Sequence, residues 1–304
     1  MTRTNAENLR LNERGYKEIF TECRRNLLFT EKLINGNIKS NIYRDDLNML
    51  IDSHCHINSE DLRLEARAVI TRAIDADVRK MLIVGCDYED SCEAAAMAED
   101  FSQFGLYASI GIHPHEAKRY DKIPDAFRRI VKNKRVVAVG EIGLDYHYDH
   151  SPRDVQKKMF ELQLQFAEEF DMPVILHIRD AMNDAMEILT LHRNLKMLFH
   201  CYSGGLEYLN EVLGMGGMCA FGGAVTWSGK ASDELREVVR TIPAENILCE
   251  TDSPYMTPSP FRGKRNEPAY VRYVYEEIAK ERGITVAELS RTVEDNAKRF
   301  FGWD

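Results

Sequence analysis

From Met49 onward the sequence alternates eight short apolar runs with longer stretches of helical period, and that alternation narrows the fold class before any single residue is weighed. The runs fall at 49–52, 80–85, 106–112, 135–140, 173–176, 196–199, 217–221 and 246–251. Between them lie amphipathic stretches such as Ser91 to Phe104 and Arg153 to Phe170. Strands alternating with helices build a parallel sheet. Eight strands, each followed by a helix, is the count of a (β/α)8 TIM barrel, so the expected class is α/β. Ser151-Pro152 reads as an N-cap followed by Pro at the first helical position.

Residues 1–48 do not follow this rhythm. Leu9, Leu11, Tyr16, Ile19, Phe20, Leu27, Leu28, Leu33 and Ile34 suggest one or two amphipathic helices, broken at Asn35-Gly36-Asn37. The expected organisation is a helical N-terminal appendage over 1–48, docked or loose and of unassigned role, and a barrel domain over 49–304; a true start at Met49 is the alternative. The longest apolar stretches, about six residues, are too short for a membrane helix. Seven cysteines without a C-x-x-C pair suit reduced thiols, and no secretory signal is visible, so a cytoplasmic setting is expected. A formal charge of −9 argues against coating nucleic acid through broad electrostatics. It leaves a nuclease open, because bound divalent cations invert the potential at their own site.

Five of the runs lead into residues that can bind a metal. The first ends in His54-Cys55-His56, and side chains at i and i+2 of a strand point the same way, so both imidazoles can grip one ion. The others stop at Glu141, His177, His200 and Asp252. The C-terminal ends of barrel strands are where catalytic groups gather, and four His with two carboxylates exceed what one ion needs. Two divalent ions are therefore expected, with Glu141 bridging, His54, His56 and Asp252 completing one, and His177 with His200 the other. Mixed His/carboxylate ligation suits Zn2+, Mn2+ or Fe2+ and fits Mg2+ less well; the identity stays open. Such a pair lowers the pKa of bound water from 15.7 toward about 7, and Asp252 is placed to act as general base or as a ligand alone.

The motifs that carry these residues are Ile51-Asp52-Ser53-His54-Cys55-His56, Gly111-Ile112-His113-Pro114-His115, Gly140-Glu141-Ile142-Gly143-Leu144-Asp145-Tyr146, His177-Ile178-Arg179-Asp180-Ala181, Phe199-His200-Cys201-Tyr202-Ser203-Gly204 and Glu250-Thr251-Asp252-Ser253-Pro254-Tyr255, closed by Arg262-Gly263-Lys264-Arg265-Asn266-Glu267-Pro268. In this order they resemble the TatD-like metal-dependent hydrolases of the amidohydrolase-type barrels, over residues 49 to about 302. The resemblance implies the barrel, the divalent metals and a phosphodiester substrate, with 3′→5′ exonucleolytic removal from DNA ends. It does not include the N-terminal segment.

Substrate contacts are expected around that centre. His113 is read as donating to a phosphate oxygen, with a satisfied turn histidine as the bland alternative. Arg179, two residues past His177, is read either as a phosphate contact or as one arm of a salt bridge with Asp180 or a neighbour. Arg262, Lys264 and Arg265 flank a glycine in the loop after the last strand and suggest a phosphate grip, with Lys230 a weaker candidate. Tyr202 and Tyr255 flank metal ligands and are candidate platforms for an exposed base, or packing residues of the rim. His192 is expected to face solvent. A monomer that needs no protein partner and no membrane is expected of a self-contained barrel. The competing chemistry keeps the metals and changes the bond to an ester or amide, such as an aminoacyl-tRNA or a small cyclic amide; a scaffold that docks partners through residues 1–48 is a third reading.

Overall fold

The computed structural model describes residues 49–303. The expected N-terminal helices over 1–48 lie outside the described residues. Within them, eight parallel strands follow one another in sequence order around a nearly closed barrel. They are β1 (Leu50–Cys55), β2 (Val78–Val84), β3 (Leu106–Ile110), β4 (Val136–Asp145), β5 (Val174–Arg179), β6 (Met197–Phe199), β7 (Met218–Phe221) and β8 (Ile247–Cys249). The helices between and after them are α1 (Ala66–Asp75), α2 (Tyr88–Asp100), α3 (Phe127–Ile130), α4 (Arg153–Phe170), α5 (Met182–Leu189), α6 (Gly205–Gly214), α7 (Lys230–Thr241), α8 (Val271–Arg282) and α9 (Val286–Phe301). No described helix is long and apolar enough to cross a membrane.

Strands covered on both faces read as continuous apolar runs, and every residue of β1 and β4 is buried. The helix ends are set by local chemistry. Asp87 caps α2 by accepting the Asp90 N–H. Thr285 and Glu288 form a capping box at α9, which stops at Gly302 in the left-handed region. The expected cap at Ser151 is not made: Pro152 takes the N-cap position without a side-chain bond. The Ser151 hydroxyl instead donates to the His115 carbonyl at 2.8 Å and accepts the Lys118 N–H at 3.1 Å, tying two loops of the catalytic face together.

β4 departs most from the sequence reading. It does not end at Gly140 but continues through Glu141 to Asp145, pairing with β5 as far as Asp145 against Arg179. Polar residues interrupt the apolar pattern there because they face a polar barrel mouth. Gly143 makes the pairing possible: its φ is +142°, and a Cβ would sit 2.1 Å from the His177 carbonyl oxygen.

β8 and β1 close the ring without a regular ladder. Cys55 and Ser253 form a lone bridge. The Asp252 N–H donates to the His54 carbonyl at 2.9 Å, and the His56 N–H to the Ser253 carbonyl at 2.7 Å. Lower down, the buried Tyr275 hydroxyl from α8 accepts the Ile51 N–H at 3.1 Å and donates to the Ile51 carbonyl at 3.2 Å, standing in for the missing strand partner. Tyr275→Phe leaves both buried backbone groups unpaired, so a loss of about 2 kcal/mol or more is expected. A lower urea midpoint at unchanged slope would register it; an unchanged midpoint would mean water replaces the hydroxyl.

Candidate metal centre

The C-terminal mouth of the barrel collects the six sequence-derived ligands around one buried carboxylate. His54 and His56 leave β1 on the same face, and their Nε2 atoms lie 3.1 Å apart. Asp252, three residues beyond β8 with φ at +55°, places Oδ1 3.3 Å from His56 Nε2 and 3.7 Å from His54 Nε2. Glu141 enters from the middle of β4, with Oε2 3.4 Å from His54 Nε2. Its Oε1 lies 2.7 Å from His177 Nδ1 and 2.9 Å from His200 Nε2, and those two nitrogens are 3.3 Å apart.

These spacings can be tested against coordination chemistry. Metal–ligand bonds of about 2.1 Å place neighbouring ligand atoms about 3.0 Å apart at right angles and about 3.4 Å apart at tetrahedral angles. The His54–His56–Asp252 triangle, with edges of 3.1, 3.3 and 3.7 Å, and the Glu141–His177–His200 triangle, with edges of 2.7, 2.9 and 3.3 Å, each lie within about 0.3 Å of that range. His54 and His200 both turn Nε2 toward the Glu141 carboxylate, while their other nitrogen, Nδ1, is buried behind the ring. The donor set fits divalent ions. His113 adds a donor that the sequence reading gave to substrate: its Nε2 is 3.6 Å from Glu141 Oε1, and it forms a three-donor set with Glu141 and His177.

Without metal, protons do the work of the ions. Burial alone would push Glu141 up, but the His200 charge and the His177 and His200 hydrogen bonds hold it well below the usual carboxylate range. Burial would lower His56, yet its bond to Asp252 lifts it to about 9. His177 and His200 are raised against burial by their facing carboxylates in the same way, whereas burial dominates at His54 and lowers it. A ligating imidazole must be neutral, so metal uptake expels these protons. A raised imidazole stabilises the metal-free fold fully below pH 6.5, and that contribution is lost as pH climbs through about 9. Metal affinity is therefore expected to rise across that window. Calorimetric binding heats near pH 7.5 should depend on the ionisation enthalpy of the buffer; heats that do not would overturn the proton inventory.

Several residues that complete the site escaped the sequence reading. Asp145, four residues after Glu141 on β4, is fully buried, and its Oδ2 lies 3.0 Å from His177 Nε2 and 3.0 Å from His115 Nε2. Glu250 is fully buried, with Oε1 3.4 Å from His200 Nδ1. Cys86, just past β2, sets its Sγ 3.7 Å from His56 Nδ1 and 3.9 Å from Glu141 Oε2. Period-two alternation from Glu141 would have found Asp145, had β4 been carried past the end of its apolar run.

The expected substrate residues divide. Tyr255 is 58% exposed, and its ring centroid lies 6.1 Å from that of His56, beside the ligands with an open face. The Arg262 guanidinium stacks 4.1 Å over Trp227, and Lys264 Nζ sits 5.5 Å over the Phe261 ring. Arg265, by contrast, donates to the Asp61 carbonyl at 2.6 Å and lies 3.2 Å from a Glu65 oxygen, so it fastens the loop to the barrel. Lys230 is exposed at the start of α7 and lies 3.6 Å from Glu234. Arg179 remains on β5 and lays its guanidinium 4.8 Å over Tyr148; the Asp180 carboxylate instead pairs with His147 at 3.0 Å. Tyr202 has no face for a base: it is buried, and its hydroxyl donates to the Gly205 carbonyl at 2.8 Å. His192 does not face solvent either; it is buried, with Nδ1 2.9 Å from Glu168 Oε1.

Comparison with known proteins places this geometry. Residues 51–302 match the family described as TatD related DNase. The chain is 40% identical over 256 residues to the uncharacterized metal-dependent hydrolase YabD of Bacillus subtilis, covering 83% of this chain and 99% of that one. It is 34% identical over 260 residues to the 3′-5′ ssDNA/RNA exonuclease TatD of Pantoea ananatis, covering 83% and 99%. Among solved structures, the TatD homolog YjjV of Escherichia coli superposes with a TM-score of 0.77 at 27% identity, over 84% of this chain and 99% of that one.

Proposed function

The chain belongs to the TatD related DNase family of metal-dependent hydrolases, and on that premise we propose that it removes nucleotides from the 3′ ends of single-stranded DNA through a two-ion site centred on Glu141. The observation that supports this reading is the buried Glu141 carboxylate set between two groups of donors, with His54, His56 and Asp252 on the side of one oxygen and His177 with His200 at the other. The substrate class is that of the Pantoea relative.

Divalent ions held there supply Lewis-acid activation of water and neutralise charge growing on the phosphoryl oxygens. The chain's own groups do the rest. Asp252 is held in its charged form, because the bonded His56 and the His200 charge outweigh burial. Its carboxylate takes the proton of the attacking water. His113 is kept neutral, chiefly by burial; it serves either as a donor to a phosphate oxygen or as a further ligand. Tyr255 offers its exposed ring to the base next to the scissile bond, where a stack is worth about 1–3 kcal/mol. Arg262, pre-oriented on Trp227, meets a backbone phosphate.

The test is metal-stripped protein reloaded with Mg2+, Mn2+ or Zn2+ and given single-stranded DNA labelled at its 5′ end. Stepwise shortening from the 3′ end is expected. No shortening with any ion despite bound metal would sink the reading and move the substrate to an ester or amide.

A further inference from the structure

We propose that Asp145 and Glu250 are positioning residues which fix the tautomers of His177 and His200 and thereby set how tightly the second ion is held; this rests on the two-ion reading above. Neither carboxylate lies among the donors around Glu141. Each stands instead on the far side of an imidazole whose other nitrogen faces Glu141.

An ionised carboxylate only accepts hydrogen bonds. Asp145 Oδ1 is already taken by the backbone N–H groups of His147 at 3.0 Å and Tyr148 at 2.9 Å, which lock the side chain in place. Oδ2 then meets His177 Nε2 at 3.0 Å, so His177 presents its N–H there. That leaves Nδ1, 2.7 Å from Glu141 Oε1, as the nitrogen with a free lone pair for an ion. On the opposite wall, Glu250 Oε1 accepts the Cys201 N–H at 2.5 Å and lies 3.4 Å from His200 Nδ1. Glu250 Oε2 and His200 Nδ1 are both buried without a hydrogen-bond partner. A carboxylate oxygen buried without a donor is costly, and an N–H on His200 Nδ1 is the group placed to answer this carboxylate. His200 Nε2, 2.9 Å from Glu141 Oε1, is thereby left bare for the ion.

The first ion's histidines lack this support. His54 Nδ1 is buried without a partner, and His56 Nδ1 looks onto Cys86 Sγ at 3.7 Å, with the Asp90 carboxylate nearby but not hydrogen-bonded to the ring. The asymmetry makes the inference specific: loss of either carboxylate should weaken one ion and spare the other. Carboxylate–histidine–metal arrangements of this type typically lose 10–100-fold in affinity when the outer partner is removed.

The experiment titrates metal-stripped full-length protein with Zn2+, comparing wild type with Asp145→Asn, Glu250→Gln and Glu250→Asp. Two ions per chain are expected in the wild type. In the Asn and Gln variants one ion should bind unchanged and the other about 10–100-fold more weakly, with part of the loss recovered in Glu250→Asp. At saturating Zn2+ the proton spectrum should show slowly exchanging imidazole N–H signals from His177 and His200. The first should vanish in Asp145→Asn and the second in Glu250→Gln, with cooperative melting of the metal-free variants showing that each remains folded. Unchanged affinities, equal weakening of both ions, or persistent N–H signals would each overturn the inference. So would a third ion lost with Glu250→Gln, which would make Glu250 a ligand together with Cys201. A wild type that takes only one ion would instead fail the two-ion reading itself, before any variant is compared.

Discussion

Glu141→Ala is expected to lower phosphodiester turnover by about 10^4-fold or more while the barrel stays folded. The carboxylate stands between the two sets of donors, with Oε2 toward His54 and Oε1 toward His177 and His200. Truncating it removes the bridge, and lost metal activation worth about 5 kcal/mol at the transition state corresponds to about 10^4 in rate. The fold should survive, because Glu141 lies within a wholly buried strand and its removal deletes a charge without opening an apolar void. The imidazoles that relied on it, His200 foremost, would shed their protons and remain as neutral groups. Metal stoichiometry should fall to one ion at most, at His54, His56 and Asp252. Turnover within tenfold of wild type, at full metal loading, would remove Glu141 from the centre of the site.

The barrel was legible because parallel strands covered on both faces leave apolar runs that a single sequence displays, and all eight runs mark real strands. Their ends were less legible, for one physical reason. At the mouth of the barrel the interior turns polar, so β4 carries Glu141 and Asp145 inward, and the apolar signal stops five residues before the strand does. β8 errs the other way: Glu250 and Thr251 prolong a buried run after regular pairing has ended at Cys249. The six candidate donors that converge at the barrel mouth could be read from their residue types at those run ends. Asp145 needed β4 to be carried past its apolar run, and Glu250 could not be read at all, because a carboxylate behind a histidine has the same signature in sequence as one in a loop. Tyr202 and Tyr255 show the same limit. Both flank ligands in the sequence, yet one is buried against Gly205 and the other is open to solvent, a difference decided by loop paths rather than by composition.

Asp252→Asn separates ligation from proton transfer at the attacking water. The substitution keeps size and one carbonyl oxygen, so the 3.3 Å approach to His56 Nε2 can be retained while the charge and the capacity to take a proton are lost. The Asp252 backbone stays anchored by its N–H bond to the His54 carbonyl, which holds the residue in its left-handed conformation; asparagine tolerates that conformation as well as aspartate does. General-base catalysis is worth about 10^2–10^4-fold, so kcat is expected to fall by about 10^3 with metal content preserved and KM little changed. Asp252 is also the more accessible of the two carboxylates, its side chain 14% exposed against 4% for Glu141, which suits a group that must exchange its proton with solvent each cycle. Measuring kcat and bound metal on the same samples reads the two roles apart. A fall in turnover that excess metal restores would reduce Asp252 to a ligand, and the proton would then have to leave by another route.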